Sequence, residues 1–257
     1  MPFVELSNGA KISYTIRGLE DGQPVLFMHG FTGTAFSHFV NEINLLTPFA
    51  HIVAPDLRGY GQSTPPHREF GPEFYQRDAD DMHALLKHLN LTNVTVIGFS
   101  DGAESALLLA ATAPSLIKQV IVWGVCGQIS PEMVQRVQRW LPVEHWGADR
   151  AEWKAEIITN HGEAQFKPMI EGWVRAAEAI AARGGDIVHF CAHRITCLVT
   201  IIHGNQDVGN PIPVVQQLAA KMNHCTVHIL EGIGHSVQDE DPAQLHAIIM
   251  RAIHQLD

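Results

Sequence analysis

Short apolar runs and longer stretches of helical periodicity alternate along most of the chain. Residues 4–6 and 11–16 alternate apolar and polar positions on either side of Asn8-Gly9. That dipeptide suits a tight hairpin turn, so the pattern predicts an antiparallel pair at the start. Residues 25–28, 51–54, 93–97, 119–123, 197–202 and 226–230 are short, mostly apolar runs, as expected of strands buried on both faces of a sheet. Between them the spacing predicts helices over 36–46, 77–89, 101–113, 214–222 and 242–256. In the second of these, Ala79, Met82, Leu85, Leu86 and Leu89 recur at intervals of three and four.

Strands alternating with helices imply an α/β class with a mainly parallel central sheet covered by helices on both faces. One stretch breaks the rhythm. Residues 128–190 carry helical segments and no clear strand, and Trp140, Trp146, Trp153 and Trp173 all fall there. A helical insertion so rich in large aromatics predicts a cap over a pocket at the strand ends. The expected organisation is a core in two parts, 1–127 and 191–257, with a helical cap over 128–190.

A chain of 257 residues with 46% hydrophobic composition has enough apolar material for one such core plus a cap. Its net charge of -10 removes the electrostatic reason to bind nucleic acid or an anionic membrane. No basic segment followed by an apolar run opens the chain, and no stretch reaches the ~20 apolar residues that span a bilayer. Cys126, Cys191, Cys197 and Cys225 form no CxxC pair and read as reduced thiols, so a cytoplasmic location is expected. His189-x-Cys191-x-His193 lacks a second ligand cluster, and no metal or cofactor is expected. The oligomeric state is left open.

The chemistry centres on Gly98-Phe99-Ser100-Asp101-Gly102, which has an expected strand before it and an expected helix after it. A chain that turns so sharply holds its central residue in a strained conformation, and side chains at 98 and 102 would collide. The turn lifts the Ser100 hydroxyl clear of the sheet, at a helix N-terminus. Strand, G-x-S-x-G and helix together resemble the nucleophile elbow of the α/β-hydrolase fold, where acid and base follow in that order. Asp207 lies just beyond the run 197–202, and His235 lies in a Gly-rich loop beyond 226–230. The expected triad is therefore Ser100 as nucleophile, His235 as base and Asp207 orienting it. Asp239 and Asp241 follow the histidine and break the order. Asp56 reads as a structural residue of its turn, and His203 and His29, both at strand ends, as partners for loop backbone. The expected oxyanion donors are the backbone N–H of Asp101 and of Phe31, in the loop His29-Gly30-Phe31-Thr32-Gly33.

Asp101 is unusual, because a carboxylate beside a developing oxyanion opposes catalysis unless it points elsewhere. It has two readings: a charge stabilised in the first helical turn, or a pocket carboxylate that binds a substrate ammonium. Pro55-Asp-Leu-Arg-Gly-Tyr-Gly-Gln-Ser-Thr-Pro-Pro66, Glu73-Phe-Tyr-Gln-Arg-Asp78, Gly98-Phe-Ser-Asp-Gly102, Ile121-Val-Trp-Gly124 and His203-Gly-Asn-Gln-Asp207 resemble the biphenyl-hydrolase-like group. Valacyclovir-type α-amino-acid ester hydrolases belong to that group. The resemblance implies that Asp101 holds the substrate's α-amino group. Ala103, Glu104 and His29 depart from the group's pattern, and the cap matches less well than the core.

The leading expectation is a serine hydrolase of small carboxylic esters, with amino-acid esters as the narrower reading and a small-molecule ester as partner. The alternatives are a C–C bond hydrolase, an enol-lactonase or a perhydrolase using the same triad. From another class comes a slow-turnover, ligand-binding signalling protein.

Overall fold

The computed structural model describes residues 3–254. The apolar runs form strands β1 (Phe3–Glu5), β2 (Lys11–Gly18), β3 (Gln23–Met28), β4 (Ala50–Pro55), β5 (Val94–Phe99), β6 (Ile117–Trp123), β7 (Leu198–Gly204) and β8 (Cys225–Leu230). They make one sheet in the order β1-β2-β4-β3-β5-β6-β7-β8. The opening pair is antiparallel as expected, and β2 also runs antiparallel to β4. From β4 onward every neighbour is parallel.

The helices are α1 (Ala35–Leu46), α2 (Phe74–His88), α3 (Asp101–Thr112), α4 (Pro131–Val137), α5 (Ala151–His161), α6 (Glu163–Ala182), α7 (Ile212–Ala219), α8 (Val237–Glu240) and α9 (Pro242–His254). Successive strand residues point to opposite faces, so each apolar run serves two cores. Leu26, Met28, Val96, Val120 and Val122 pack with Met82 and Leu85 of α2 and Leu107 of α3. Val25, Phe27, Ile97, Ile121 and Trp123 pack with Phe39 and Ile43 of α1 and Leu245 and Ile249 of α9. Fully burying a side chain of this size is worth about 1.5–3 kcal/mol, which is why continuous apolar runs specify the central strands.

The expected insertion lies between β6 and β7 and carries α4, α5 and α6. Its interior, including Val143, Ile157, Phe166 and Ile170, is continuous with the core on the α2–α3 face. It is therefore not a separate globule. Helix α2 begins at Phe74, earlier than expected, because Phe74 and Tyr75 are buried beneath the insertion side of the sheet. The expected last two residues of the C-terminal helix, 255 and 256, lie outside the described residues. Among the described residues no helix is long and apolar enough to cross a membrane, and the four cysteines are free.

Candidate active site

β5 ends at Phe99 and α3 begins at Asp101, so Ser100 alone makes the turn. Its backbone sits at φ 53°, ψ -121°, a region that costs a non-glycine residue of order 1–3 kcal/mol. The flanking glycines are required by space. A Cβ on Gly102 would lie 2.0 Å from the Met28 carbonyl oxygen, and one on Gly98 would lie 2.8 Å from that of Gly102. The expected sharp strand-to-helix turn is thus present, and its strain is held by close packing against β3.

Asp207 follows β7 and His235 follows β8, and the parallel pairing of these strands brings both loops to the edge where β5 ends. His235 Nδ1 lies 2.7 Å from Asp207 Oδ2, and Nε2 lies 3.0 Å from Ser100 Oγ. The ionised Asp207 only accepts, so Nδ1 carries the proton and Nε2 is free to accept from the serine hydroxyl. Burial disfavours the Asp207 charge, but donors from His235, Asn210 and the Gly209 amide outweigh it and hold its carboxyl below the usual range. Asn210 donates its side-chain N–H to Asp207 Oδ2 at 2.9 Å. Sequence reasoning missed Asn210; its place three residues after Asp207 in the same loop was the available signal.

The loop after β3 lies close to Ser100, and a Cβ on Gly30 would meet the serine Cβ at 3.0 Å. Gly30 N–H donates to His38 Nδ1 at 3.1 Å, and burial lowers the His38 pKa to about 4, so its ring is neutral. His29 accepts from the Leu57 amide through Nε2 and bonds the Gly30 carbonyl through Nδ1, the loop-backbone role expected of it. Asp56 accepts from the amides of Ala35 and Gln62, also as expected.

Helix α5 grips the same loop. Thr32 has φ 63°. Its hydroxyl accepts from Trp153 Nε1 at 2.9 Å, and its carbonyl accepts from His161 Nε2 at 2.8 Å. His161 Nδ1 accepts from the Gly61 amide, which fixes the tautomer that donates to Thr32. The Phe31 ring packs against Trp173 at 5.3 Å, Trp140 at 6.2 Å and Trp153 at 6.3 Å between centroids. Three of the four insertion tryptophans therefore surround the residue expected to supply an oxyanion donor.

Asp101 is 7% exposed. The Tyr75 hydroxyl donates to its Oδ1 at 2.9 Å and Trp173 Nε1 to its Oδ2 at 2.8 Å. Burial raises its pKa to about 6, against these two hydrogen bonds. A cavity of about 700 Å³ opens over Ser100 and is lined by Asp101. The ionisable carboxyls on its wall are Asp101, Glu104, Glu156, Asp207 and Asp239, with Arg136 as the lining guanidinium. Among the described residues no group of three or more His, Cys, Asp or Glu side chains is placed to hold a metal ion. His189 Nε2 instead lies 3.0 Å from the Cys126 carbonyl oxygen.

Residues 25–248 match the profile of the alpha/beta hydrolase family. The chain belongs to the alpha/beta hydrolase family. This hydrolase is similar to the serine hydrolase BPHL of Homo sapiens, with 31% identity over 84% of this chain and 72% of that one. It is also similar to 3-oxoadipate enol-lactonase 2 of Acinetobacter baylyi, with 26% identity over 92% and 91% of the two chains. Among solved structures, the enol-lactonase from Burkholderia xenovorans LB400 superposes with a TM-score of 0.75 and 20% identity, covering 98% of this hydrolase and 100% of that chain. That likeness is one of fold.

Proposed function

We propose that this hydrolase cleaves small carboxylic esters through an acyl-Ser100 intermediate and that its preferred substrates are α-amino-acid esters. His235 Nε2 takes the Ser100 proton as Oγ attacks the ester carbonyl. The amides of Phe31 and Asp101 receive the oxyanion. Collapse breaks the bond to the alkoxide, which leaves as the alcohol with the proton from His235. Water then attacks the acyl-serine with His235 again as base, releasing the carboxylic acid and restoring the Ser100 hydroxyl. Residues 128–190 act as the cap that bounds the cavity.

The observation that carries the amino-ester reading is the Asp101 carboxylate. It lines the Ser100 cavity, and two neutral donors orient it. Among the described residues no cationic side chain forms an ion pair with it. Arg68 acts on it only through space, and a substrate ammonium supplies the direct ion pair. The acidity that Asp101, Glu156, Asp207 and Asp239 give the cavity wall supports the same reading, because it attracts cations and repels anions. It also weighs against the substrate type of the enol-lactonase relative: an oxoadipate-derived lactone carries a carboxylate, which this wall would repel.

Valine benzyl ester compared with its N-acetyl form, using the wild type, Asp101→Asn and Ser100→Ala, tests the proposal. The free amine should be strongly preferred, Asp101→Asn should erase that preference, and Ser100→Ala should abolish turnover. Equal cleavage of both esters would sink the amino-ester reading. Substantial activity in Ser100→Ala would sink the serine mechanism. Tight binding with turnover far below one per minute on every ester would instead favour the signalling alternative.

A further inference from the structure

Glu104 lies three residues beyond Asp101 on α3, on the cavity wall, and is 5% exposed. Its Oε1 accepts from the amides of Cys126 and Gly127 at 3.2 and 2.9 Å. Its Oε2 is buried without a hydrogen-bond partner among the described residues. The tether to the loop after β6 uses one oxygen only, and an amide oxygen would serve it equally. A buried polar atom without a partner costs about 1–3 kcal/mol, so the second oxygen calls for another explanation. Two backbone amides on Oε1 favour the ionised form, whereas burial opposes it and raises the Glu104 pKa to about 8. A cation that reached Oε2 would draw the carboxyl into its ionised form and give the orphan atom its partner.

We propose that Glu104 is a second cation-binding point in the acyl pocket, so that the acyl group this site selects is that of a diamino acid. Its α-ammonium lies on Asp101 and its side-chain ammonium on Glu104. The assignment rests on the amino-ester reading for the first contact. Residues three apart on a helix face the same way with Cβ atoms about 5–6 Å apart. The extended side chain of ornithine separates its two nitrogens by a similar span.

The test compares kcat/KM for the benzyl esters of ornithine and norvaline, which differ only in the terminal group, in the wild type and Glu104→Gln. Glutamine keeps an oxygen for the Cys126 and Gly127 amides, so the loop tether survives. The wild type should prefer the ornithine ester by roughly tenfold or more, the worth of one charge-assisted hydrogen bond. Glu104→Gln should bring the ratio to one or below. A structural role alone would slow both esters equally, so an unchanged ratio overturns the proposal, as does a wild-type preference for norvaline. Two further pairs separate this result from the reading beneath it. Norvaline ester against its N-acetyl form reports on Asp101 alone. 5-Aminopentanoate ester against pentanoate ester reports on Glu104 without any α-amine.

Discussion

Trp173, midway along α6, donates its indole N–H to the carboxylate of Asp101 at 2.8 Å, so the insertion holds the residue that follows Ser100. Trp173→Phe keeps a ring against Phe31 and removes the donor. A hydrogen bond to a charged group is worth about 1.5–3 kcal/mol. The kcat/KM for valine benzyl ester should therefore fall roughly tenfold or more, while that for the N-acetyl ester changes far less. Steady-state kinetics on the two esters checks this. Parallel losses would mean that Trp173 acts through packing alone.

Burial raises the Asp101 pKa from its ordinary 3.8 to about 6, and that rise has a sign in stability. Between these two values the folded chain binds more protons than the unfolded one, so this group's contribution weakens as pH rises through that window. Above pH 6 it stays unfavourable by up to about 3 kcal/mol, because each tenfold difference in proton affinity is worth about 1.4 kcal/mol. Asparagine mimics the protonated carboxyl. Asp101→Asn should thus be more stable than the wild type by about 1–3 kcal/mol at pH 7.5, with the difference shrinking toward pH 4. Urea unfolding at the two pH values measures it. A variant no more stable at pH 7.5 would contradict the assigned burial cost. The wild-type preference for free-amine esters should fade in the same direction, as acid neutralises Asp101.

Where physical signals were local, they were readable in the chain. The Ser100 elbow announces itself because the turn needs glycine at 98 and 102, and both lie within two residues. Asp207 and His235 are readable because each follows its strand directly, and parallel strands deliver such loops to one edge. The tryptophans of 128–190 marked an aromatic insertion, but not what it touches. Trp153 and His161 reach Thr32 across 121 and 129 residues of chain, and no pattern within a helix encodes such a partner. Asp101 shows the same limit. Its residue type left two readings open, and its donors come from Tyr75 and Trp173, far away in sequence. Glu104 was visible only as a departure from a resemblance. Its significance comes from burial and from one unsatisfied oxygen, which only the packed structure reveals.

The grip of α5 on Thr32 predicts a kinetic phenotype remote from Ser100, His235 and Asp207. His161 donates to the Thr32 carbonyl and accepts from the Gly61 amide, fixing the loop whose Phe31 amide is proposed above to receive the oxyanion. His161→Phe fills the space and removes both bonds. Misplacing a donor for the developing oxyanion affects the transition state more than the bound ester. The variant should lose roughly tenfold or more in kcat with little change in KM. Adding Trp153→Phe, which removes the bond to the Thr32 hydroxyl, should deepen the loss. A change confined to KM would assign α5 to substrate binding instead.

Arg68 and Asp78 of α2 form a two-pronged ion pair, 2.6 Å on each arm, with both side chains 1% exposed. The guanidinium also lies over the rings of Tyr60, Phe70 and Phe74 at 4.7, 5.0 and 5.3 Å. Its backbone closes on Gly59, where a Cβ would meet the Arg68 Cα at 2.4 Å. Asp78→Asn leaves a buried cation without its counterion and should cost about 3–5 kcal/mol of folding stability. The pair itself is another matter, because desolvating both charges offsets most of their attraction. Replacing both residues with apolar ones, Arg68→Met with Asp78→Leu, should recover most of that loss. Denaturant unfolding of the two variants decides the point. If the double variant is as unstable as the single one, then the specific geometry around Tyr60 and Phe74, rather than charge balance, depends on this pair.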